Sequence, residues 1–424
     1  MVEKDLVLPK YEIGIFRVLP TLLQTSLKID IPEPYSEFSF TDKRYTKLFD
    51  EADISVIVIL DSLCMKNLDG FIRDSWKKLN SPILSSIVPT TTANAIGSIY
   101  IGLPPEESGL IAQRFYLSEI GNYIDALSGK VPGVGESDSL GRAGVRLSSL
   151  LWKRSILESI ASNDFLVVDL LPKKLSGGLQ RFYEEGIFKL HYATELDGAF
   201  EVIEVVRKMI DKKLSGLIFV YYPELDTMSH LYGYQDFRWS MQLRRINETL
   251  SFLHDQLNNI AKETNKRISM LIISDHGHVN ISENLAINEE DWKTIAEEFG
   301  LAAYMSSARF AFIYLRTPDA VENIDLERLS EALFNNKAYI FTIDEAIKMR
   351  FWPLLNDENI DLFMSRAGDL VVVYKYGIEA YMQKRSEEPI IDDVGWEYRK
   401  NRGSHGGLTE EEMFIPFVIF NLPE

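Results

Sequence analysis

Cysteine is almost absent: Cys64 is the only one in 424 residues. That excludes a disulfide framework and leads to the expectation of a reducing, cytoplasmic setting. No stretch reaches the roughly eighteen uninterrupted apolar residues of a membrane span, so none is expected. The opening MVEKDLVLPKYEIG lacks the basic flank and apolar run of a signal peptide. Positive charge is also short, with 45 Lys and Arg against 63 Asp and Glu and a formal charge of −18. Nucleic-acid binders displace counterions with clustered cations. An acidic chain without a basic stripe is therefore a poor partner for a long nucleic acid. A small anionic substrate stays open where bound cations reverse the local field. Histidine is scarce too, six in all, and where the six fall is informative.

What is present is ordinary for a globular protein: 46% hydrophobic and 25% charged residues, enough for a sizeable core. The stretch Leu271-Ile272-Ile273-Ser274-Asp275-His276-Gly277-His278 organises the rest. A short apolar run closed by polar residues and glycine reads as a buried strand. Ligands of open α/β sheets sit beyond the carboxyl ends of such strands. An Asp and a His there offer an oxygen and a nitrogen donor, a pairing suited to zinc and its neighbours. The plain alternative is an Asp capping the next turn beside a satisfied His.

The same grammar recurs. Ile54–Leu60 reads as a strand apolar on both faces, as a central parallel strand must be, and Asp61 ends it. Phe165–Leu171 and Gly216–Tyr222 read as two further strands, and Phe414–Phe420 as the last. After the third comes PELDTMSH, in which Asp226 and His230 share one helical face with Cβ atoms about 5–6 Å apart. Pro89-Thr90-Thr91-Thr92 precedes a helical segment, where a hydroxyl caps the helix or faces a phosphate. Leu243, Ile246, Leu250, Leu253, Leu257 and Ile260 form the stripe of a long amphipathic helix, with His254 off the stripe and read as solvated. His191 receives the same reading. His405 lies among glycines in GSHGGL, which favours a ligand. Residues 1–50, broken by Pro9, Pro20, Pro32 and Pro34, read as an edge strand or two. Residues 281–400 read as an inserted cap subdomain, with residues 1–280 and 401–424 as the core. Arg309 and Arg366, within the insert, are expected in ion pairs. Trp352 and Trp396 are expected in core packing rather than stacked on a base.

Strand ends thus deliver Asp61, Asp226 and Asp275, and His230, His276 and His405 fall close by. Six such donors suit two ions sharing a cleft and clamping a phosphoryl group. The series of strand-Asp61, PTTTANA…GLPPEESG, YYPELDTMSH, SDHG and GSHGGL before a strand resembles the type I phosphodiesterase/nucleotide pyrophosphatase family of the alkaline phosphatase superfamily, over roughly residues 53–424. The resemblance implies a three-layer α/β/α sandwich around a largely parallel sheet. It implies two divalent ions, zinc first and manganese as the alternative. One would be held by Asp226, His230 and His405, the other by Asp61, Asp275 and His276 with Thr92. The family's spacing to Gly102 selects Thr92 as the nucleophile, attacking phosphorus to give a phospho-threonine. Ser108 stands where family members often carry His. Gln113 stands where the eukaryotic-type enzymes place an Asn that donates to a phosphoryl oxygen.

The expected activity is hydrolysis of phosphodiester or pyrophosphate bonds in a small phosphorylated substrate, with nucleotides among the candidates. Rivals within the superfamily are a phosphomonoesterase, a cofactor-independent phosphoglycerate mutase, which usually carries Ser as nucleophile, and a sulfatase, whose aldehyde Thr92 does not supply. A rival of another class is a metal-dependent binder of phosphorylated ligands without catalysis. No motif bears on oligomeric state.

Overall fold

The computed structural model describes residues 5–67, 82–160, 164–173, 175, 177–383 and 401–424. Its centre is a seven-stranded sheet made of β1 (Ile54–Leu60), β2 (Ile83–Ser85), β3 (Phe165–Pro172), β4 (Phe188–Tyr192), β5 (Ser215–Tyr222), β6 (Ile268–Ser274) and β7 (Phe414–Leu422). The order across it is β2-β7-β6-β1-β5-β3-β4. The block from β6 to β4 is parallel, while β7 runs antiparallel to β6 and to β2.

Successive side chains of β1 point to opposite layers. Ile57 and Ile59 join one apolar cluster, and Val56 and Val58 join the other. The first layer contains α1 (Thr92–Ile101) and the amino-terminal segment. The second contains α2 (Glu195–Asp211) and α4 (Phe237–Thr264), which presents Leu243, Ile246, Leu250, Leu253, Leu257 and Ile260 to the sheet. Each such side chain, fully buried, contributes about 1.5–3 kcal/mol. The short α3 (Glu224–Tyr232) follows β5 directly. This is the three-layer α/β/α sandwich that the family resemblance implies.

Two expectations fail. Among the described residues before Asp50 there is no strand, only short helical turns and isolated bridges from Leu6 and Gly14. Prolines interrupt the segment while Ile15, Phe16, Leu19 and Leu22 are completely buried, so the chain packs as turns against the sheet rather than extending along its edge. His254 is also buried, its ring edge-on to Phe420 at 4.7 Å. The face that α4 turns to β7 is wider than its Leu/Ile stripe. His191 is exposed, as read.

After β6 the chain makes a two-residue strand, Val279–Asn280, and leaves the core; it returns to pair with that strand at Gly403–Ser404. Between these points lies a four-stranded antiparallel sheet whose two middle strands are Phe310–Leu315 and Leu370–Tyr374. Ala311, Ile313, Leu370 and Val372 face the insert's own core, whereas Phe310, Phe312, Val371 and Val373 belong to the main cluster. Trp352 is 1% exposed and donates its indole N–H to the Val88 carbonyl, a packing role. Trp396 lies outside the described residues. Among the described residues no helix is long and apolar enough to cross a membrane.

Candidate metal centre

The side chains that chemistry would need converge where the parallel strands end at their carboxyl edge. Asp61 follows β1, Asp275 and His276 follow β6, Asp226 and His230 lie on α3 just beyond β5, and Thr92 begins α1. His405 arrives on the loop after Gly403–Ser404. The donors form two groups, Asp61, Asp275 and His276 in one and Asp226, His230, His278 and His405 in the other, each with donor atoms all within 4.8 Å of one another. His276 and His405 stack with ring centroids 3.9 Å apart, so the groups adjoin.

Within the first group, His276 Nδ1 lies 3.0 Å from the Gly277 carbonyl, which fixes its proton there and leaves Nε2 as an acceptor. That lone pair faces Thr92 Oγ1 at 3.1 Å, Asp275 Oδ2 at 3.3 Å and Asp61 Oδ1 at 3.6 Å. Gly277 is required for this turn, because a Cβ would come within 1.8 Å of the Glu411 carbonyl. Asp61 accepts from the Tyr221 hydroxyl. Asp275 Oδ1 accepts from the Ser62 and His276 amides at 3.2 and 2.9 Å, while its Oδ2 is buried with no partner. An orphaned carboxylate oxygen beside two further anionic or basic donors suits a cation. Burial, with the charges of Asp275 and Asp226 behind it, pushes Asp61 well above the usual carboxylate range, and burial raises Asp275 to about 7. Burial lowers His276 to about 4, so the imidazole is neutral and its lone pair is free.

The second group follows the same rule. His230 Nδ1 is 2.9 Å from the Gly403 carbonyl and His405 Nδ1 is 3.0 Å from the Thr90 carbonyl, so in the neutral form of each ring the lone pair is on Nε2. The two Nε2 atoms face Asp226 Oδ1 at 3.4 and 3.8 Å. Burial opposes the Asp226 charge, yet the neighbouring imidazoles, His230 foremost, hold it well below its ordinary value. Burial also opposes a charge on His230, but Asp226 outweighs it and lifts this residue to about 9. Burial takes His405 well down. Gly406 sits at φ +103°, where a Cβ would meet the Ser307 carbonyl at 2.7 Å, so its conformation lets the loop lie against the insert.

None of the three consecutive threonines caps α1. Thr90 donates to the Gly407 carbonyl at 2.7 Å, Thr91 pairs with Asn94, and Thr92 turns to His276. Thr92 therefore presents its hydroxyl at the amino end of a ten-residue helix, where the dipole favours an anion. A cavity of about 220 Å³ opens beside it, reaching Asp61 and Asp226 and walled by Tyr100, Tyr183 and Tyr221. A larger, more open depression of about 490 Å³ near Arg146 and Arg181 touches none of these donors. Gln113 is half-buried, its carbonyl accepting from Ala126 at 2.8 Å, and it does not line the cavity beside Thr92. Ser108 is wholly buried.

Three neighbours of the donors escape a reading of the sequence. Ser62, at φ +66°, donates its hydroxyl to Asp226 Oδ1 at 2.8 Å and its amide to Asp275, bridging the groups. Tyr221 holds Asp61. His278 lies with Nε2 3.1 Å from Asp226 Oδ1. Only His278 carried a signal, since it closes the same octapeptide. The insert's arginines stand in ion pairs, as expected: Arg309 with Glu412, both fully buried, and Arg366 with Glu119.

A largely parallel sheet with paired donor groups at its carboxyl edge defines an alkaline phosphatase-like fold. The chain belongs to the type I phosphodiesterase / nucleotide pyrophosphatase family, whose sequence profile matches residues 60–408. It is an enzyme of this kind, a phosphodiesterase/pyrophosphatase-like hydrolase, and the family depends on divalent metal. No curated protein matches it in sequence. Among solved structures it is similar to murine ectonucleotide pyrophosphatase/phosphodiesterase 5, with 14% identity, 86% of this chain and 87% of that one covered, and a TM-score of 0.55. An inactive form of that murine protein in complex with AMP gives 14% identity, 87% and 88% coverage and 0.56. Phosphonoacetate hydrolase from Sinorhizobium meliloti 1021, in complex with phosphonoformate, gives 16%, 87% and 90%, and 0.56. These similarities bear on the fold.

Proposed function

We propose that this chain hydrolyses phosphodiester or pyrophosphate bonds in small molecules with Thr92 as nucleophile and two divalent ions, zinc by the mix of nitrogen and oxygen donors. The observation that carries this reading is the uncapped Thr92 hydroxyl, 3.1 Å from His276 Nε2 and beside two buried carboxylates. Asp61, Asp275, His276 and Thr92 would hold one ion, and Asp226, His230 and His405 the other. Bound there, such ions supply Lewis acidity that lowers the threonine's pKa and offsets phosphoryl charge. The residues do the rest. Thr92 Oγ forms the bond to phosphorus as the leaving-group oxygen departs, giving a phospho-threonine that water cleaves in a second step. The α1 amino terminus steadies the phosphoryl oxygens, whereas Gln113, off the cavity wall, is left without the donor role of the family's Asn. The aromatic wall of Tyr100, Tyr183 and Tyr221 favours a planar leaving group such as a nucleoside, for which the AMP held by the murine neighbour is a precedent. In this reading residues 281–400 are a cap on a core of 1–280 and 401–424. The single buried cysteine fits a cytoplasmic setting.

Thr92→Ala is expected to lower turnover of a chromogenic phosphodiester by about 10⁴-fold or more, with metal content unchanged. Unchanged turnover with intact metal content refutes the assignment. Parallel rates on the matching monoester separate a diesterase from a phosphomonoesterase, and absence of any turnover by the metal-loaded wild type supports the binding-protein alternative.

A further inference from the structure

We infer that His278 is a fourth protein ligand at the Asp226 site, so that this site is closed by protein donors while the site beside Thr92 carries the chemistry. The inference rests on the two-ion reading above and goes beyond the three ligands which that reading assigns. It starts from the distances that the three imidazoles keep to one oxygen. His278, His230 and His405 place Nε2 at 3.1, 3.4 and 3.8 Å from Asp226 Oδ1. A tetrahedral zinc with bonds of about 2.0–2.1 Å separates its donors by about 3.3–3.4 Å. The three observed edges scatter around that value. All four donor atoms lie within 4.8 Å of one another, a span that one ion can bridge.

The other nitrogen of each ring is accounted for. His230 and His405 direct Nδ1 at backbone carbonyls, and His278 directs Nδ1 at Ser229 Oγ, 2.7 Å away. A metal-binding imidazole has such a partner on its second nitrogen, which sets tautomer and ring orientation. Ser229 belongs to α3, the helix that also carries Asp226 and His230, so the orienting group and two ligands are one rigid unit. The competing use of His278 is a plain hydrogen bond from Nε2–H to Asp226. Asp226 Oδ1 already accepts from Ser62 Oγ at 2.8 Å, so it does not need that donor.

Four protein donors saturate a tetrahedral ion, the arrangement of structural sites, whereas catalytic sites keep a position open. One carboxylate with three neutral imidazoles leaves a zinc ion there with net positive charge. Two carboxylates with His276 neutralise the ion beside Thr92. Charge alone favours the two-carboxylate site, but the fourth protein donor sets the expected order in loading: the Asp226 site fills first and holds its ion more firmly.

The test is X-ray absorption at the zinc edge on the full chain, stripped of metal and given one equivalent of Zn²⁺. Four nitrogen or oxygen donors with three imidazoles are expected in the wild type. In His278→Gln two imidazoles are expected, with about tenfold or greater loss of Zn²⁺ to a chelator. Two imidazoles in the wild type overturn the fourth ligand, and one imidazole overturns the loading order, because His276 is the only imidazole of the other group. The wild-type spectrum decides even if His278→Gln fails to fold, and His278→Met supplies a variant of similar volume. A wild type that binds fewer than two equivalents sinks the two-ion reading itself; two equivalents with only two imidazoles at the first sinks this inference alone.

Discussion

The two donor groups are built differently. Asp61, Asp275 and His276 sit at the ends of central parallel strands, wholly buried, with β1 and β6 in register from Ile54 with Ile268 to Leu60 with Ser274. The Asp226 group joins a nine-residue helix, a tight two-residue strand pair and a glycine loop. Its Asp226 and His230 are only half-buried. The first group is positioned by the sheet. The second leans on the insert, since the Arg309 amide donates to the His405 carbonyl at 2.8 Å and Arg309 pairs with Glu412, which also accepts from Gly407 at 2.9 Å. In the proposed reading Thr92 thus lies on the sheet-built side, and the two ions would be held on supports of different construction.

The strongest way to break that asymmetry is Glu412→Gln. It leaves the Arg309 guanidinium buried without its counter-charge, a change that costs about 3–5 kcal/mol. Denaturant unfolding should show that loss, and metal retention should fail at the Asp226 group before the Thr92 side. Replacing both partners, Arg309→Met with Glu412→Leu, should recover much of the stability. A loss under about 1 kcal/mol for Glu412→Gln would mean that the buried pair does not anchor the loop.

The same asymmetry governs what was legible beforehand. Ile54–Leu60, Phe310–Leu315 and Leu370–Tyr374 fall where their apolar runs put them, because a buried strand announces itself through uninterrupted hydrophobicity. Asp61 and Asp275 follow from those strands. Thr92 needed the family's spacing, since a threonine triplet before a helix reads equally as a cap. His278 was missed because nothing local says which way a side chain turns after Gly277, whose backbone is set by Glu411, more than a hundred residues away. Ser62 and Tyr221 act through contacts with residues from distant parts of the chain. The amino-terminal turns and buried His254 depend on what covers them, which periodicity does not encode.

A second contrast concerns protons. Asp275, at about 7 in the metal-free protein, lies above its usual 3.8. Its contribution to metal-free stability is therefore full below pH 4 and is lost as pH rises through about 7. His230, at about 9, behaves likewise across a higher window, from about 6.5 to 9. Zinc binds the deprotonated forms, so its stabilisation should grow with pH through both windows, the lower from the strand-end group and the upper from the helix group. At pH 7, calorimetry in two buffers of different ionisation enthalpy should show release of about one proton or more per protein. A zinc-induced rise in Tm that stays flat from pH 5 to 9 contradicts this picture.

The smallest expected effect isolates the strand-end group. Tyr221 lies at the sheet's carboxyl edge and gives its hydroxyl hydrogen to Asp61 Oδ2. Removing an orienting partner of a ligand costs about 10–100-fold in metal affinity. Asp61 keeps its backbone tie to β5, its amide donating to the Tyr222 carbonyl at 3.0 Å, so the lower end of that range applies to Tyr221→Phe. Chelator competition should then show about a tenfold weaker second equivalent of zinc and an unaltered first. Were the first equivalent weakened instead, the ion beside Thr92 would be the one that fills first. The division between a closed, firmly held site and an exchangeable catalytic one would then have to be reversed.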